Sequence, residues 1–302
     1  MAGLAMGCTI LPQAVFDAGA ALETISRESV AIMLGTPTIF HDLLEHPLRD
    51  RYDLSSLHSA CPAAAHVPVE LVNRMRDELG FTHVITGYGL TEATAHCTLC
   101  HPDDRAEDIA STVGRSGRDV AVAVVDDFGH EAPRGSAGEV WVRGYNVMSG
   151  YWEDEEATRE AVDPEGWLHT GDVGTMDERG YLRIVDRLSD MLVVGGFNVY
   201  PAEVERVLRA HPDVSLVAVV GVPDARLGEV GVAFVVPVRR STPKAESILP
   251  WARDRLAGYK VPRLLYFVDE LPLGSSLKVQ KRDLVAEALR RLSDSSVTGG
   301  IE

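Results

Sequence analysis

The sequence predicts an α/β protein in which a larger first part precedes a small α+β part. The chain has 302 residues, which is enough for about two domains of ordinary size. Amphipathic helical patterns alternate with short apolar strands in the first part. From Val120 onward, apolar runs are bounded by Asp and Gly, which is typical of β structure with turns. After Asp190 the pattern becomes a compact alternation of helices and strands, so we place the domain boundary near residues 187–190.

The elements of the first part follow from local signals. The apolar start has no cap and no polar lead-in, and it predicts a strand that the sequence enters midway. Residues 17–32 predict an amphipathic helix that leads into a strand. Pro37 and Pro68 each open a helix, because proline is tolerated in a first helical turn, and Gly80 ends the second of these helices. Residues 84–86 predict a short strand.

The later elements are predicted from apolar runs and from amphipathic spacing. Strands are expected at residues 120–125, 139–143, 181–185, 216–222, 230–238 and 264–268. Helices are expected at residues 203–210, 245–256 and 281–292, and the polar tail at 293–300 is expected to be disordered.

The composition excludes several classes of protein. The 29 Lys and Arg residues against 45 Asp and Glu residues give a net charge of −16, with 45% hydrophobic residues. This balance argues against nonspecific binding to nucleic acid or anionic membrane, because both reward clustered basic residues. Four cysteines are too few for a disulfide scaffold. There is no uncharged run of the ~18 residues that a membrane span needs, and no basic region of a signal peptide, so we expect a cytoplasmic protein.

A first cluster of functional candidates lies in the run GYGLTE. Gly87 and Gly89 allow a close backbone approach to a ligand, and the ring of Tyr88 can stack on a flat base. The hydroxyl of Thr91 suits a phosphate oxygen, and the carboxylate of Glu92 suits Mg²⁺. A Gly-rich turn with a Thr/Glu helix start is the equally plain alternative.

Three further clusters follow along the chain. Asp172 ends the run GWLHTGD, and a carboxylate presented after a tight Gly turn can accept from the two vicinal hydroxyls of a ribose. The alternative is an Asp in an ordinary β-turn. The third cluster combines residues 186–190 with residues 195–205, and the fourth spans residues 271–279.

Together, in this order and at this spacing, the four clusters resemble the adenylate-forming superfamily. The specific stretches are GYGLTE, GWLHTGD, GGFNVYPAEVE and AGYKVP, and the run through VAVVGVPDARLGEVGVAFVV is most similar to that of fatty-acid CoA ligases and other acyl-CoA ligases. The resemblance extends from the start to about Leu292. It implies that residues 1–186 form the C-terminal part of the large AMP-binding domain, β-rich with helices. Residues 187–302 would form the small, mobile α+β C-terminal domain.

The resemblance also implies roles for individual residues in nucleotide binding. Tyr88, between Gly87 and Gly89, would stack on adenine. Asp172 would bind the ribose hydroxyls, and Arg187 would contact ribose or phosphate. ATP and AMP are therefore the implied nucleotides.

For the adenylation chemistry, the resemblance implies three catalytic residues. Thr91 would touch the α-phosphate, Glu92 would hold Mg²⁺, and Lys278 would bridge the substrate carboxylate and the α-phosphate. These roles suit the reaction, because carboxylate attack on ATP builds negative charge that a cation and a metal stabilise without a protein nucleophile.

The resemblance places the remaining functions in other segments. Ser189 occupies the hinge position about which the small domain rotates between two half-reactions. Gly195 and Gly196 would line the pantetheine tunnel for CoA. The acyl pocket would include Ala64, Ala65 and His96. The spacing of Cys97 and Cys100 matches half a zinc site, but the sequence has no second such pair.

The sequence departs from the family pattern at three points. The phosphate loop rich in Gly, Ser and Thr is absent, and no Walker-type pattern replaces it. We therefore expect a truncated product, a fragment or a mis-started reading frame. Ser189 stands at the hinge where Asp or Lys is usual, and Leu277 precedes Lys278 where Gly is usual.

The sequence thus predicts an acyl-CoA synthetase that uses ATP, Mg²⁺ and CoA. Its expected partners are a small carboxylic acid and CoA. We expect no binding to nucleic acid and no membrane span, and a homodimer is one possible oligomeric state. Two alternatives remain. One is an adenylation enzyme that passes its acyl group to a carrier-protein thiol, and the other is a noncatalytic remnant that binds AMP or CoA.

Overall fold

The computed structural model describes residues 2–63, 67–239, 241, 243–274 and 279–297. The first elements are α1 Ala2–Ala5, α2 Ala18–Glu28, β1 Ile32–Gly35, α3 Pro37–Leu44, β2 Ser59–Pro62, α4 Val69–Asp77 and β3 His83–Val84. The strands form a parallel sheet in the order β1-β2-β3. Helices α2, α3 and α4 pack on it through one shared core that includes Leu22, Phe40, Val72 and Phe81.

Local sequence explains why these helices begin where they do. Asp17 caps α2, because its carboxylate Oδ1 accepts a hydrogen bond from the Ala20 amide at 2.8 Å. Pro37 occupies the first turn of α3, and Pro68 is the N-cap residue of α4. The predicted helices and the strand after the first of them are therefore confirmed, with boundaries shifted by a few residues.

The middle of the chain is built mainly from antiparallel strands. Its elements are β4 Gly87–Tyr88, β5 Thr98–Leu99, α5 Ala106–Ser111, β6 Arg115–Ser116, β7 Val120–Val125, β8 Ala137–Gly144, α6 Glu155–Ala161, β9 Leu168–Met176 and β10 Leu182–Arg187. One sheet has the order β4-β5-β6 and the other the order β10-β9-β8-β7. Ala93 and Cys97 from the first sheet's loop share a core with Val140 and Leu168 of the second. This packing brings the GYGLTE segment against the strands that carry residues 168–187.

The last part of the chain is a mixed sheet with helices on both faces. Its elements are β11 Leu192–Val194, β12 Phe197–Val199, α7 Pro201–Arg209, β13 Val214–Asp224, β14 Gly228–Pro237, α8 Ala245–Arg253, β15 Leu264–Phe267 and α9 Lys281–Val297. Alternate residues of β13 point to opposite faces. Val217 and Val219 pack in the core with α7 and α8, while Ala218 and Val220 pack in the core with α9.

The structure corrects the expectations at the two ends of the chain. The apolar start is a short helix, α1, rather than a strand. Leu4 and Ile10 near it are exposed. Among the described residues no sheet includes a strand from residues 2–12, so a strand there would lack the backbone partners that it needs. Helix α9 continues to Val297, well past the predicted end at Leu292, so the first part of the tail predicted to be disordered is helical.

Within the described ranges, no helix has both the length and the apolar character needed to cross a membrane.

Candidate functional site

The GYGLTE segment runs through β4 and the turn that follows it. A Cβ atom on Gly89 would lie 2.3 Å from the carbonyl carbon of Ala95, and one on Gly87 would lie 2.5 Å from the carbonyl oxygen of Thr98. Both distances are far below any real contact, so only glycine fits at either position. Glycine is therefore required at both positions by the protein itself, because this turn packs tightly against β5 and the loop before it.

The side chain of Tyr88 leads from this turn to Asp172. The Tyr88 hydroxyl donates a hydrogen bond to Oδ2 of Asp172 at 2.5 Å. Burial, and then the bond to Asp172, raise the pKa of the Tyr88 phenol well above its usual range. The phenol is therefore a hydrogen-bond donor at any physiological pH.

Asp172 also contacts Arg187, its cross-strand neighbour on β10, so that Tyr88 and Arg187 converge on one carboxylate. The Nε atom of Arg187 lies 3.2 Å from Oδ1 of Asp172. Asp172 is only 6% exposed, whereas the Arg187 side chain is 64% exposed and free to reach outward. Each carboxylate oxygen can accept two hydrogen bonds. The arrangement therefore leaves capacity for a further donor at each oxygen, as two neighbouring hydroxyls would provide.

Asp172 is presented by a bulged strand and not by the tight turn expected from the sequence. Residues 170–172 lie inside β9, and the pairing with β8 shifts register between Glu139 and Trp141. Gly171 has a φ of 67° at this irregularity, and its amide donates to Oε1 of Glu139 at 3.0 Å. The left-handed conformation of Gly171 interrupts the regular strand, and its amide bonds to a side chain instead of the neighbouring strand. The bulge changes the direction in which the next residue, Asp172, points. The β-turn alternative is likewise not observed.

Glu92 is held in place by two residues, Met148 and Tyr151, of the loop that follows β8. It lies in a 3-10 turn, Thr91–Ala93, and its Oε1 atom accepts a hydrogen bond from the hydroxyl of Tyr151 at 2.9 Å. The Met148 amide donates to the backbone carbonyl of Glu92 at 2.7 Å. These two bonds fix both the backbone and the carboxylate of Glu92. Thr91 in the same turn is exposed.

The turn after Glu92 has an unusual backbone that neighbouring residues stabilise. Thr94 and Ala95 have φ values of 54° and 62°, a backbone conformation that residues other than glycine rarely adopt. The Thr94 hydroxyl donates to the carbonyl of Asn146 at 2.7 Å, and the Asn146 amide donates to the carbonyl of His96 at 2.7 Å. Such conformations persist where surrounding contacts over-determine them, which is common beside binding sites.

The hinge candidate lies in an exposed 3-10 turn between β10 and β11. This turn spans Leu188–Asp190, and Ser189 within it is exposed. The Ser189 hydroxyl donates to Oδ1 of Asp190 at 3.3 Å. Just before the turn, Oδ2 of Asp186 accepts from the Ala202 amide at the start of α7 at 2.7 Å. The turn is thus short and exposed, and hydrogen bonds of Asp186 and Asp190 lie on either side of Ser189.

Gly195 and Gly196 form the exposed turn between β11 and β12. Their φ values are 59° and 85°, a conformation that favours glycine. Beside them, the rings of Phe197 and Tyr259 stack with centroids 4.7 Å apart. The Gly195 amide donates to the carbonyl of Leu227 at 2.8 Å, which ties the turn to the start of β14.

A cavity of about 240 Å³ opens next to this turn. Its lining includes three arginines, Arg226, Arg253 and Arg263, together with Tyr259. Arg263 is paired with Asp224 at 2.9 Å. An aromatic ring and several guanidinium groups around one cavity suit a ligand that carries phosphates and a flat base. The sequence reasoning missed these arginines, because they lie in separate segments without a shared pattern.

The remaining candidates fall in different places. His96 is half-buried, and its amide donates to the carbonyl of Ala93 at 3.1 Å. Ala64, Ala65 and Lys278 lie outside the described residues.

The zinc alternative finds no support in the structure. Cys97 and Cys100 are free and buried, and they pack into two different cores. Burial raises the pKa of each thiol to about 11, which disfavours the thiolate that a metal requires. In the described ranges, no group of three or more His, Cys, Asp and Glu side chains could hold a metal ion.

Comparison with known proteins identifies the family. The model of the AMP-binding enzyme family matches residues 1–152, and that of the AMP-binding enzyme C-terminal domain matches residues 203–278. The chain is 48% identical, over 94% of its length, to a dioxo-octahydroindenyl-propanoyl:CoA ligase of Mycobacterium tuberculosis, and it covers 54% of that ligase.

Solved structures show the same relationship. An amide bond synthetase from Marinactinospora thermotolerans has a TM-score of 0.83 and 40% identity, with 94% of this chain and 57% of that chain covered. The o-succinylbenzoate CoA synthetase of Bacillus subtilis, in complex with its acyl-adenylate intermediate, has a TM-score of 0.83 and 30% identity, with 93% and 56% covered. The chain spans about half the length of the relatives that it matches. It belongs to the AMP-binding enzyme family, as the resemblance implied.

Proposed function

We propose that this chain is the AMP- and CoA-binding part of an acyl-CoA synthetase. In the first half-reaction, a carboxylic acid attacks the α-phosphate of ATP, giving an acyl-adenylate and releasing pyrophosphate. In the second, the thiol of CoA attacks the acyl carbon, giving acyl-CoA and releasing AMP. The 48% identity to the dioxo-octahydroindenyl-propanoyl:CoA ligase of Mycobacterium tuberculosis supports CoA as the acceptor.

The observation that carries this proposal is the convergence of Tyr88 and Arg187 on the buried carboxylate of Asp172. In the proposed nucleotide site, Asp172 accepts the two ribose hydroxyls and Arg187 contacts ribose or phosphate. The ring of Tyr88 stacks on adenine, while Gly87 and Gly89 shape the turn that holds it. The bulge of β9 and the packed glycines supply the rigidity that such a site needs.

For adenylation, we propose that Thr91, Glu92 and Lys278 act on the α-phosphate. Thr91 donates to a phosphate oxygen, and Lys278 bridges the substrate carboxylate and the phosphate, where negative charge develops. The hydrogen bond from Tyr151 orients Glu92, and a carboxylate fixed in this way suits Mg²⁺. A magnesium ion there would neutralise charge on the phosphates.

For thioester formation, we propose two domains, residues 1–186 and 187–302, that rotate about Ser189. The exposed turn Leu188–Asp190 supports a pivot at this point. Gly195 and Gly196 line the path of the pantetheine arm. The neighbouring cavity with Arg226, Arg253 and Arg263 supports binding of the nucleotide phosphates of CoA at its edge.

The acyl group would lie along Ala64, Ala65 and His96. We propose a fatty acid or a similar apolar carboxylic acid as the substrate, and thus a place in fatty acid metabolism. Four free cysteines support a reducing compartment, and we propose the cytoplasm. A homodimer is the oligomeric state that we propose to test by light scattering.

A second candidate function differs only in the acyl acceptor. The chain is 40% identical to an amide bond synthetase, so an amine is an acceptor worth testing. A carrier-protein thiol is another. In either case the nucleotide site around Asp172 keeps its role.

The acceptor and the reaction are tested together with supplied acyl-adenylate. The chain is mixed with a synthetic acyl-adenylate and either CoA, a pantetheinylated carrier protein or an amine, and the product is followed by mass spectrometry. We expect acyl-CoA to form well above the rate without protein. Asp172→Ala should slow it, whereas Asp127→Ala, a change of an exposed Asp in the turn after β7, should not. Product with the amine or carrier alone would favour the second candidate, and no product with any acceptor would overturn the proposal.

A further inference from the structure

Lys281 connects the first turn of α9 to the hinge segment. Its Nζ atom lies 3.3 Å from Oδ2 of Asp190 and 3.3 Å from Oε1 of Glu205. Asp190 directly follows Ser189, and Glu205 lies on α7. One ammonium group therefore joins three segments that are far apart in sequence, and one of them is the end of the proposed hinge.

The carboxylates around Lys281 are themselves anchored to the fold. Oε1 of Glu205 accepts a hydrogen bond from the Val219 amide of β13 at 2.8 Å. Burial lowers the pKa of Lys281, but the carboxylates of Glu205, Asp186 and Asp190 outweigh that effect and raise it. The Lys281 side chain is 24% exposed, so its charge is partly desolvated, and removal of a carboxylate partner leaves that charge less compensated.

Lys281 also lies at the base of the segment that contains Lys278. Leu273 and Val279, which flank this segment, form an antiparallel bridge. The Gln280 amide donates to the carbonyl of Pro272 at 2.8 Å. The two ends of the segment are thus tied together, and the next residue is Lys281, so its position sets where the base of the segment lies.

We propose that Lys281 is a positioning residue that clamps the base of the Lys278 segment to Asp190 and Glu205. With the clamp closed, Asp190, α7 and the start of α9 move as one body, and rotation is confined to the residues before Asp190. The role in catalysis rests on the proposed function, because it matters only if Lys278 must be delivered to a reacting phosphate.

Hydrogen exchange tests whether the clamp couples these distant segments. Asp190→Asn removes one charge at the hinge and leaves the Glu205 pair in place, so the chain should fold. We expect exchange of amides in residues 279–284 to rise on the order of tenfold, since local opening free energies govern exchange, although these residues lie far from Asp190 in sequence. Lys281→Ala should raise exchange at both residues 279–284 and 188–193. Lys281→Arg, which keeps the charge, should restore values close to those of the unchanged chain.

Lys260 provides a matched control, because it lies in a separate 3-10 turn, Gly258–Lys260, and pairs with the same helix, α7, that carries Glu205. Its Nζ atom pairs with Glu203 of α7 at 2.7 Å, and its side chain is 21% exposed, much like that of Lys281. Lys260→Ala should lower the melting temperature without changing exchange at residues 188–193 or 279–284. If Asp190→Asn leaves residues 279–284 unchanged, or if Lys260→Ala loosens them equally, the clamp is overturned.

Exchange is measured without substrate, so this test is independent of the reaction. Failure of the coupling would remove the role of Lys281 and leave the acyl-transfer experiment unaffected. Failure of acyl transfer would overturn the proposed reaction while the coupling could still be observed.

Discussion

The phenol of Tyr88 donates a hydrogen bond to a carboxylate oxygen of Asp172, although 84 positions separate the two residues. Tyr88 is fixed by the packed glycines on either side, and Asp172 is fixed by the bulge at Gly171. Two local irregularities thus meet in one hydrogen bond. This bond joins the β4-β5-β6 sheet to the sheet that carries β9.

Tyr88→Phe should separate the structural role of Tyr88 from its role in nucleotide binding. Loss of the bond leaves Asp172 buried with one donor fewer, and we expect a loss of about 1–3 kcal/mol in the free energy of unfolding. Chemical denaturation would measure it. Since the ring remains, AMP affinity should change much less than with Tyr88→Ala, which removes the stacking surface. Equal AMP affinity in the Phe and Ala variants would argue against stacking.

The sequence singles out Tyr88, Asp172 and Arg187 as candidates, and the structure brings these three residues together, but the sequence does not predict how they are held. The motif GWLHTGD is enough to single out Asp172, but the bulge in β9 depends on pairing with β8, which no local signal reveals. The contacts of Tyr151 with Glu92 and of Lys281 with Asp190 join segments far apart in sequence. Periodicity reports which face of an element is buried, not which neighbour lies against it. The short helix at the start was missed for the same reason, because a strand there needs a partner.

The arginine-lined cavity predicts a salt-dependent interaction with CoA. Arg226→Ala and Arg253→Ala, made separately, should each weaken CoA binding and reduce its dependence on salt, because each removes a charge that faces phosphates. Titration calorimetry at two salt concentrations would measure this. Dephospho-CoA and pantetheine provide graded controls, and pantetheine should be insensitive to both changes. An equal effect on pantetheine would mean that the cavity does not receive phosphates.

The two buried thiols predict a loss of stability at alkaline pH. Burial raises the pKa of Cys97 and of Cys100 from an unperturbed 9.0 to about 11. The folded chain therefore holds these protons more tightly than the unfolded chain. The contribution is fully present below about pH 9, and it is lost as pH rises through about 11. Denaturant titrations across this range should show the fall.

Cys97→Ala supplies the comparison for that measurement. It should flatten the decline between pH 9 and 11, whatever it costs in packing at neutral pH. Cys8→Ala, a change at an exposed thiol, should leave the slope as it is. If Cys97→Ala leaves the slope unchanged, the Cys97 thiol ionises at the same pH in the folded and the unfolded chain, and the prediction is wrong.

Lys278→Ala should separate the two half-reactions of the complete enzyme. We expect adenylation to slow by roughly 10²–10³, or about 2.7–4 kcal/mol, the usual loss of one charge-stabilising group. Thioester formation from supplied acyl-adenylate should be almost unchanged, because the small domain would then have rotated about Ser189. Pyrophosphate exchange and single-turnover acyl transfer measure the two steps. Equal slowing of both would indicate misfolding, and no slowing would leave Lys278 without a catalytic role.

Calorimetric titration of AMP into the chain and into Asp172→Ala tests the nucleotide site most directly. The variant should bind AMP more weakly by about 1.5–3 kcal/mol, the range for hydrogen bonds to a charged group. Asp127→Ala should bind like the unchanged chain, and adenine alone should not distinguish the variants, because it lacks the ribose hydroxyls. Unchanged AMP affinity in Asp172→Ala would contradict a nucleotide site at this carboxylate.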